Sequence, residues 1–140
     1  MSLWDWALAA YQRPDVAPAC LALQDDHGQN VCLLLWAVWA NPDQTAILSA
    51  SALAREWEQV VLGPLRGVRR RLPTGELRDE VKAVELKAEN SLLMALEAQT
   101  PPSEGDALDA LTRVSAAWRP PAPPEALQRL AAALSGIQSP

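Results

Sequence analysis

The side chains best suited to chemistry lie in one short polar segment between two apolar stretches. This polar segment, residues 24–30, holds Gln24, Asp25, Asp26, His27 and Asn30, and it includes the only histidine of the chain. A histidine oriented by a neighbouring carboxylate can carry a proton near neutral pH, so these five residues are candidate ligand-binding residues. The alternative is structural, with the segment ending one helix and capping the next. We expect the structural alternative, because the spacing matches no nucleophile, general-base or phosphate-binding signature.

Metal chemistry is not predicted for this segment. Zinc takes three or four nitrogen or sulfur ligands, whereas the chain offers one histidine and two cysteines, Cys20 and Cys32, that are scattered in sequence. The sequence therefore predicts no metal site, no catalytic residue set and no cofactor.

A basic cluster is formed by Arg66, Arg69, Arg70 and Arg71. Guanidinium groups bind carboxylates and phosphates in pairs, so the first three are further candidate ligand-binding residues. Acidic residues follow closely between positions 76 and 89, and a hairpin about Pro73 would bring them opposite the arginines. We expect the arginines to pair within the chain.

The six tryptophans divide into two groups. Trp36, Trp39 and Trp57 lie on apolar helical stripes and are expected in the core. Trp4 and Trp6 are two residues apart and cannot share one helical face, and Trp118 lies beside a proline-rich spacer. Because exposed tryptophan often anchors interfaces, Trp4, Trp6 and Trp118 are candidate partner-binding residues. The alternative is that the C-terminal tail covers the first helix.

Glycine, proline and capping residues divide the chain into helical segments, and these segments must position the candidate residues. The predicted helices are 3–11, 15–27 with Asp15 as cap, 31–40, one beginning near Ser49 or Ser51 and broken at Gly63-Pro64, 76–99, one capped by Ser103 with Asp106 that reaches Trp118, and 125–134.

Segment 31–40 is apolar on every side, which predicts a central helix that is buried all round. The long helix 76–99 should turn an apolar stripe from Leu77 to Ala95 inward and leave Glu85 and Glu89 on its exposed face. The predicted fold is a single all-α helical bundle around residues 31–40. Residues 1–100 form the compact part, and 101–140 form a Pro/Ala-rich extension with two short helices, either packed or partly loose.

Composition limits the classes of function. The 140 residues are 49% hydrophobic and carry a net charge of −5, which suits one core and disfavours nucleic acid as a partner. The N-terminus lacks the basic region of a signal peptide, and the longest charge-free apolar run, 31–40, is too short to span a bilayer. The long helix carries more acid than base, which disfavours membrane association. We expect a cytoplasmic protein with buried, reduced thiols.

The chain also resembles an uncharacterised family of short proteobacterial proteins of unknown function. The resemblance rests on Leu3-Trp4-x-Trp6, Cys20-Leu21-x-Leu23-Gln24-Asp25, Gly28-x-Asn30-Val31, Leu33-Leu34-Leu35-Trp36-x-x-Trp39, and the later stretch from Pro64-Leu65 through the basic cluster and the long helix. It extends from Trp4 to about Leu96 and implies an α-helical cytoplasmic protein, without assigning catalytic residues.

Two functional hypotheses follow. The first is a non-enzymatic interaction protein, an adaptor or small regulatory subunit, that binds another protein or a second copy of itself. It rests on the missing catalytic set, the tryptophans near the chain ends and a short amphipathic helix after a proline spacer. The alternative is a small-ligand-binding protein or enzyme whose site combines the polar segment with the basic cluster.

Overall fold

The computed structural model describes residues 1–137, which form eight α-helices and one π-helical turn. The elements are α1 (Leu3–Tyr11), α2 (Val16–His27), α3 (Val31–Ala40), α4 (Gln44–Trp57), the π turn (Glu58–Leu62), α5 (Gly63–Arg71), α6 (Glu76–Glu97), α7 (Ala107–Trp118) and α8 (Pro124–Leu134). The protein is an all-α helical bundle.

The central helix is α3, as its sequence predicts. Leu33, Leu34, Leu35, Trp36 and Ala37 are at most 1% exposed. Five helices pack against α3: α1, α2, α4, α6 and α7. Asn30 begins the helix by accepting a hydrogen bond from the Leu33 N–H at 2.9 Å. A helix without a polar face can be stable in water only when neighbours cover it on all sides, and this bundle does so.

Two predicted helix starts need correction. Helix α4 begins at Gln44 rather than near Ser49 or Ser51, because the Asp43 carboxylate accepts from the Ala46 N–H at 2.9 Å. Helix α7 is capped by Asp106, without Ser103. Helix α2 begins after Asp15 as predicted, although the Asp15 side chain makes no capping hydrogen bond. Several residues near each start can serve as caps, and only the packed path of the chain selects one.

The predicted break at Gly63-Pro64 is a π turn that joins α4 to α5. Proline has no N–H to donate to the carbonyl four residues earlier, so the regular helical ladder is interrupted there. The Gly63 N–H instead donates to the carbonyl of Glu58, five residues back. A Cβ added to Gly63 would lie 2.7 Å from that carbonyl oxygen, which explains why glycine precedes the proline.

The C-terminal extension packs into the same core as residues 1–100. Helix α7 lies against α3 and α4, and α8 lies against α2 and α7. Leu111, Val114 and Leu130 are fully buried. The two short helices expected within 101–140 are therefore part of the bundle as far as residue 137.

Helix α6 is longer than the core that it covers. Its C-terminal half buries Leu92, Leu93 and Leu96 against α3 and α1. Toward its N-terminus the helix runs alongside α5, and Leu77 and Val84 are 60% and 48% exposed. The predicted inward stripe is therefore correct only for the second half. No helix within residues 1–137 is both long and apolar enough to cross a membrane.

Candidate functional site

A small interior cavity lies where α1, the start of α3, the π turn and α6 meet. Its volume is about 60 Å³, enough for several water molecules or a short chemical group. Apolar side chains form much of its wall: Trp4, Ala7, Leu8, Leu35, Leu62 and Leu93. The cavity adjoins a more open outer groove of about 400 Å³. Six boundary residues line both spaces: Tyr11, Gln24, Val31, Arg66, Leu86 and Glu89.

Charged side chains are concentrated at this boundary and directly beside it, in the walls of the cavity and the groove. Arg66 pairs with Glu58 of the π turn, with Nη1 at 3.4 Å from both carboxylate oxygens. The pair between Arg69 and Glu85 is closer, because the Arg69 Nε–H donates to both carboxylate oxygens, at 2.8 Å and 3.0 Å. Both pairs are largely buried. Buried ion pairs strongly constrain the positions of their partners, because separating them leaves an uncompensated charge.

Glu89 is the third carboxylate of this group. It is half-buried on α6, four residues after Glu85. Burial raises the pKa of Glu89 above its ordinary value, and the nearby Glu85 and Glu58 carboxylates raise it further, while Arg66 and Arg69 act in the opposite direction. Among the ion pairs of residues 1–137, none includes Glu89. A desolvated carboxylate at the mouth of a cavity is a typical feature of binding sites.

Tyr11 lines both the cavity and the groove, Cys32 lines the cavity, and Cys20 lines the groove. Burial, followed by the neighbouring Cys20 and Cys32, raises the pKa of the Tyr11 hydroxyl above its ordinary value, although 42% of the residue is exposed on its outer side. Burial raises the pKa of Cys20 to about 11 and that of Cys32 well above its ordinary value. Both thiols and the phenol are therefore protonated at neutral pH, and neither cysteine is an activated nucleophile.

The π turn positions the charged residues against α6. The Trp57 indole N–H, immediately before the turn, donates to the Ala88 carbonyl of α6 at 2.9 Å. This bond holds the start of the turn next to Glu89. Single π turns within helices are often found at functional sites, because the extra residue redirects the side chains around it.

The structure separates the ligand-binding residues predicted from sequence into two groups. Gln24 and Arg66 line the cavity and the groove, Asn30 lines the cavity, and Arg69 lines the groove. The side-chain oxygen of Asn30 is occupied in capping α3.

The remaining predicted residues lie on the surface near the end of α2. Asp25 and Arg70 form an exposed ion pair at 3.1 Å. Asp26 is exposed, and His27 is the last residue of α2, followed by Gly28 in the left-handed conformation (φ 63°). These positions agree with the structural alternative for the polar segment. Within residues 1–137, only Arg69 of the basic cluster pairs with one of the expected acidic residues, Glu85, whereas Arg66 pairs with Glu58 and Arg70 with Asp25.

The predicted partner-binding tryptophans are not exposed. Trp6 and Trp118 are each 2% exposed, so neither can anchor a partner in this fold. The Trp118 indole N–H donates to the Gly28 carbonyl at 2.8 Å, and the Arg55 guanidinium lies 3.7 Å from its ring centroid. Trp4 is half-buried and lines the interior cavity. The first helix is covered by α6 rather than by the C-terminal tail, and the Leu3 N–H donates to the Glu97 carboxylate.

Sequence reasoning missed three site residues, Tyr11, Glu58 and Glu89. It placed Glu85 and Glu89 on an exposed face, whereas Glu85 is 9% exposed and Glu89 is half-buried. One signal was present: Glu58 lies five residues before the Gly63-Pro64 break, where a helical irregularity is expected. Within residues 1–137 no three histidine, cysteine or acidic residues are arranged to hold a metal ion.

The fold and the site together define a small all-α protein with a charged, partly enclosed cavity. The chain belongs to the family of proteins of unknown function DUF2390, whose model matches residues 2–96. This match contains every residue that lines the cavity and the groove, while α7 and α8 lie beyond it. No curated protein and no solved structure matches the chain.

Proposed function

We propose that this protein binds a small molecule at the cavity. The ligand places a short apolar group in the interior cavity and a polar group among the boundary residues, while the rest of the molecule occupies the groove. This proposal takes the second of the two hypotheses from sequence and moves its site from the surface of the polar segment to the interface of α1, α3 and α6.

The observation that carries this proposal is the burial of charge beside an apolar cavity. Two carboxylates, Glu58 and Glu89, and one guanidinium, Arg66, line a space whose wall also contains leucine and tryptophan. Removing charges from water is costly, and apolar residues of similar size would fill the same space at lower cost. Apolar pockets with a few converging polar groups are the usual form of small-molecule sites.

We propose binding without catalysis. The raised pKa of both thiols leaves no thiolate near neutral pH, and the arginines are held by carboxylates. Both cysteines are free and buried, which suits a reducing environment, so we also propose a cytoplasmic location. The resemblance to a proteobacterial family leads us to propose a bacterial source.

The experiment compares the native protein with Ala7→Leu. Ala7 is buried on the cavity wall, so a leucine there fills the space that the apolar group would enter. Ala9→Leu, on the exposed side of the same helix, is the matched control. The probes are n-butylammonium, 1-butanol and pentanoate, which share one n-butyl chain.

Binding is followed by the indole N–H resonance of Trp4 in the isotope-labelled protein, because Trp4 lines the cavity. We expect at least one probe to shift this resonance saturably in the native protein and in Ala9→Leu, but not in folded Ala7→Leu. Three probes without effect, or equal shifts in all three proteins, would overturn the proposal.

Protein interaction is a second candidate, favoured by exposed apolar side chains on α5 and α6. Val68, Leu77 and Val84 are each about half exposed or more. Sedimentation velocity at increasing concentration tests self-association, with Val84→Lys as the disrupting variant. A monomeric native protein that also recovers no stoichiometric partner from a native lysate would count against this candidate.

A further inference from the structure

The charged groups at the boundary are unequally matched. Arg66 faces Glu58, and Arg69 faces Glu85, so each guanidinium already has one carboxylate partner. Glu89 is the third carboxylate in the group, and it pairs with neither arginine within 4.0 Å in the part of the chain that the structure describes. The interior cavity itself is lined by two carboxylates and one guanidinium. With Glu89 ionised, these three groups carry one uncompensated negative charge.

The positive groups are poorly placed to receive an anion. Arg69 uses its Nε–H on both oxygens of Glu85, and an anion near Arg66 would also lie near Glu58 and Glu89. Lys82 is exposed and lines the outer groove but not the interior cavity. A second negative charge at the boundary would be repelled by the carboxylates already there.

Hydrogen-bond acceptors are available around Glu89. The Gln24 amide nitrogen donates to Asp25 at 3.5 Å, which leaves its carbonyl oxygen for a ligand. Tyr11 lines the same boundary, and its hydroxyl oxygen can accept a hydrogen bond. A primary ammonium has three N–H donors, and one carboxylate with two neutral oxygens matches that number.

We infer that the ligand is a cation, a protonated amine on a short apolar chain, and that the Glu89 carboxylate is its counter-charge. This inference rests on the proposed function. The ammonium group lies at the boundary, Tyr11 and Gln24 accept its remaining hydrogen bonds, and the alkyl chain enters the interior cavity. The raised pKa of Glu89 agrees with this assignment, because a bound cation relieves the unfavourable burial of that carboxylate.

The test uses the same three probes at pH 7, where an alkylamine is protonated. They differ only in the group at the end of the chain, so a difference in Kd reports recognition of that group. We expect n-butylammonium to bind about tenfold more tightly than 1-butanol, from one charge-assisted hydrogen bond, and pentanoate to bind most weakly.

Glu89→Gln keeps the shape of the side chain and removes its charge. We expect n-butylammonium to lose about tenfold in affinity for this variant, so that it binds no better than 1-butanol. The matched control is Glu80→Gln, an exposed position on the same helix, which should leave all three Kd values unchanged. A thermal melt of each variant verifies folding.

The outcomes separate this inference from the proposed function. Equal binding of all three probes, or unchanged amine binding in Glu89→Gln, would overturn the inference that the ligand is a cation. The proposed function would stand, as a cavity that binds apolar chains. Tightest binding of pentanoate would overturn the inference of a cation and would indicate that the arginines bind an anion. A lack of binding by every probe would overturn both proposals.

Discussion

Replacing Gly63 by alanine tests the π turn. Helix propensity predicts that this substitution raises the free energy of unfolding, whereas the geometry of the turn predicts that it lowers it. In a regular helix, Gly→Ala stabilises a protein by about 0.5–1 kcal/mol, because alanine loses less backbone entropy on folding. At Gly63 the new Cβ would lie 2.7 Å from the Glu58 carbonyl oxygen, a backbone atom that cannot move without breaking the turn.

The expected loss of stability in Gly63→Ala follows from the interactions that must be broken or distorted to accommodate the new Cβ. Relief of the contact requires loss or distortion of the hydrogen bond from the Gly63 N–H to the Glu58 carbonyl, which contributes about 1 kcal/mol. Overpacking in a well-packed region costs about 1–3 kcal/mol. We therefore expect Gly63→Ala to lower the free energy of unfolding by about 1–3 kcal/mol after the propensity gain is subtracted.

Gly67 is the matched control on the same helix. A Cβ there meets no atom within 4 Å, and the residue is exposed. We expect Gly67→Ala to raise the free energy of unfolding by about 0.5–1 kcal/mol. Urea unfolding followed by circular dichroism gives both values, and unchanged m-values would show that the same surface is exposed. Stabilisation of similar size at both positions would refute the close contact and with it the π turn.

Three further predictions concern charge and the C-terminal helices. Arg69→Met should lower the free energy of unfolding by about 3–5 kcal/mol, because it leaves Glu85 buried without its partner. Arg70→Met removes an exposed pair and should change the free energy of unfolding by less than about 1 kcal/mol. Equal effects of the two variants in chemical denaturation would contradict the difference in burial. The pKa of Glu89 is raised in the folded state, so the folded protein binds this proton more tightly and stability falls as pH rises from about 4.5 through the raised pKa. Glu89→Gln should remove this contribution to the dependence of stability on pH. Thermal midpoints that change in parallel with pH in the native protein and in Glu89→Gln, between pH 4 and 8, would refute this prediction. The fragment 1–100 lacks the helix that covers much of α3, so we expect no cooperative thermal transition by circular dichroism, and a sharp melt would contradict this.

The fold was predictable where local signals and burial agree. The caps formed by Ser2 and Asn30 and the left-handed Gly28 follow from residue types next to apolar runs. The uniform apolarity of 31–40 also correctly predicted the central helix. The start of α4 was placed too late because Asp43 follows Pro42 directly, and serines further along offered equally good local caps.

The candidate site was only partly predictable. Gln24, Asn30 and Arg66 were singled out from sequence and lie at the cavity. Glu89 was assigned to solvent because its spacing on α6 fits an exposed charged face equally well. Periodicity identifies the two faces of a helix, but it does not determine which neighbour approaches the polar face.

By itself, the sequence determined that this chain is helical, where most of its helices begin and end, and which segment forms the centre. Those properties depend on residues close together along the chain, through capping, proline and glycine geometry and apolar periodicity. Only the tertiary structure decided that α6 turns Glu85 toward α5 and Glu89 toward the cavity, that Trp6 and Trp118 are buried, and that the C-terminal helices complete the core. The physical reason is that the burial of a side chain and the pairing of its charge depend on distant elements, whose approach is set by how the whole bundle packs.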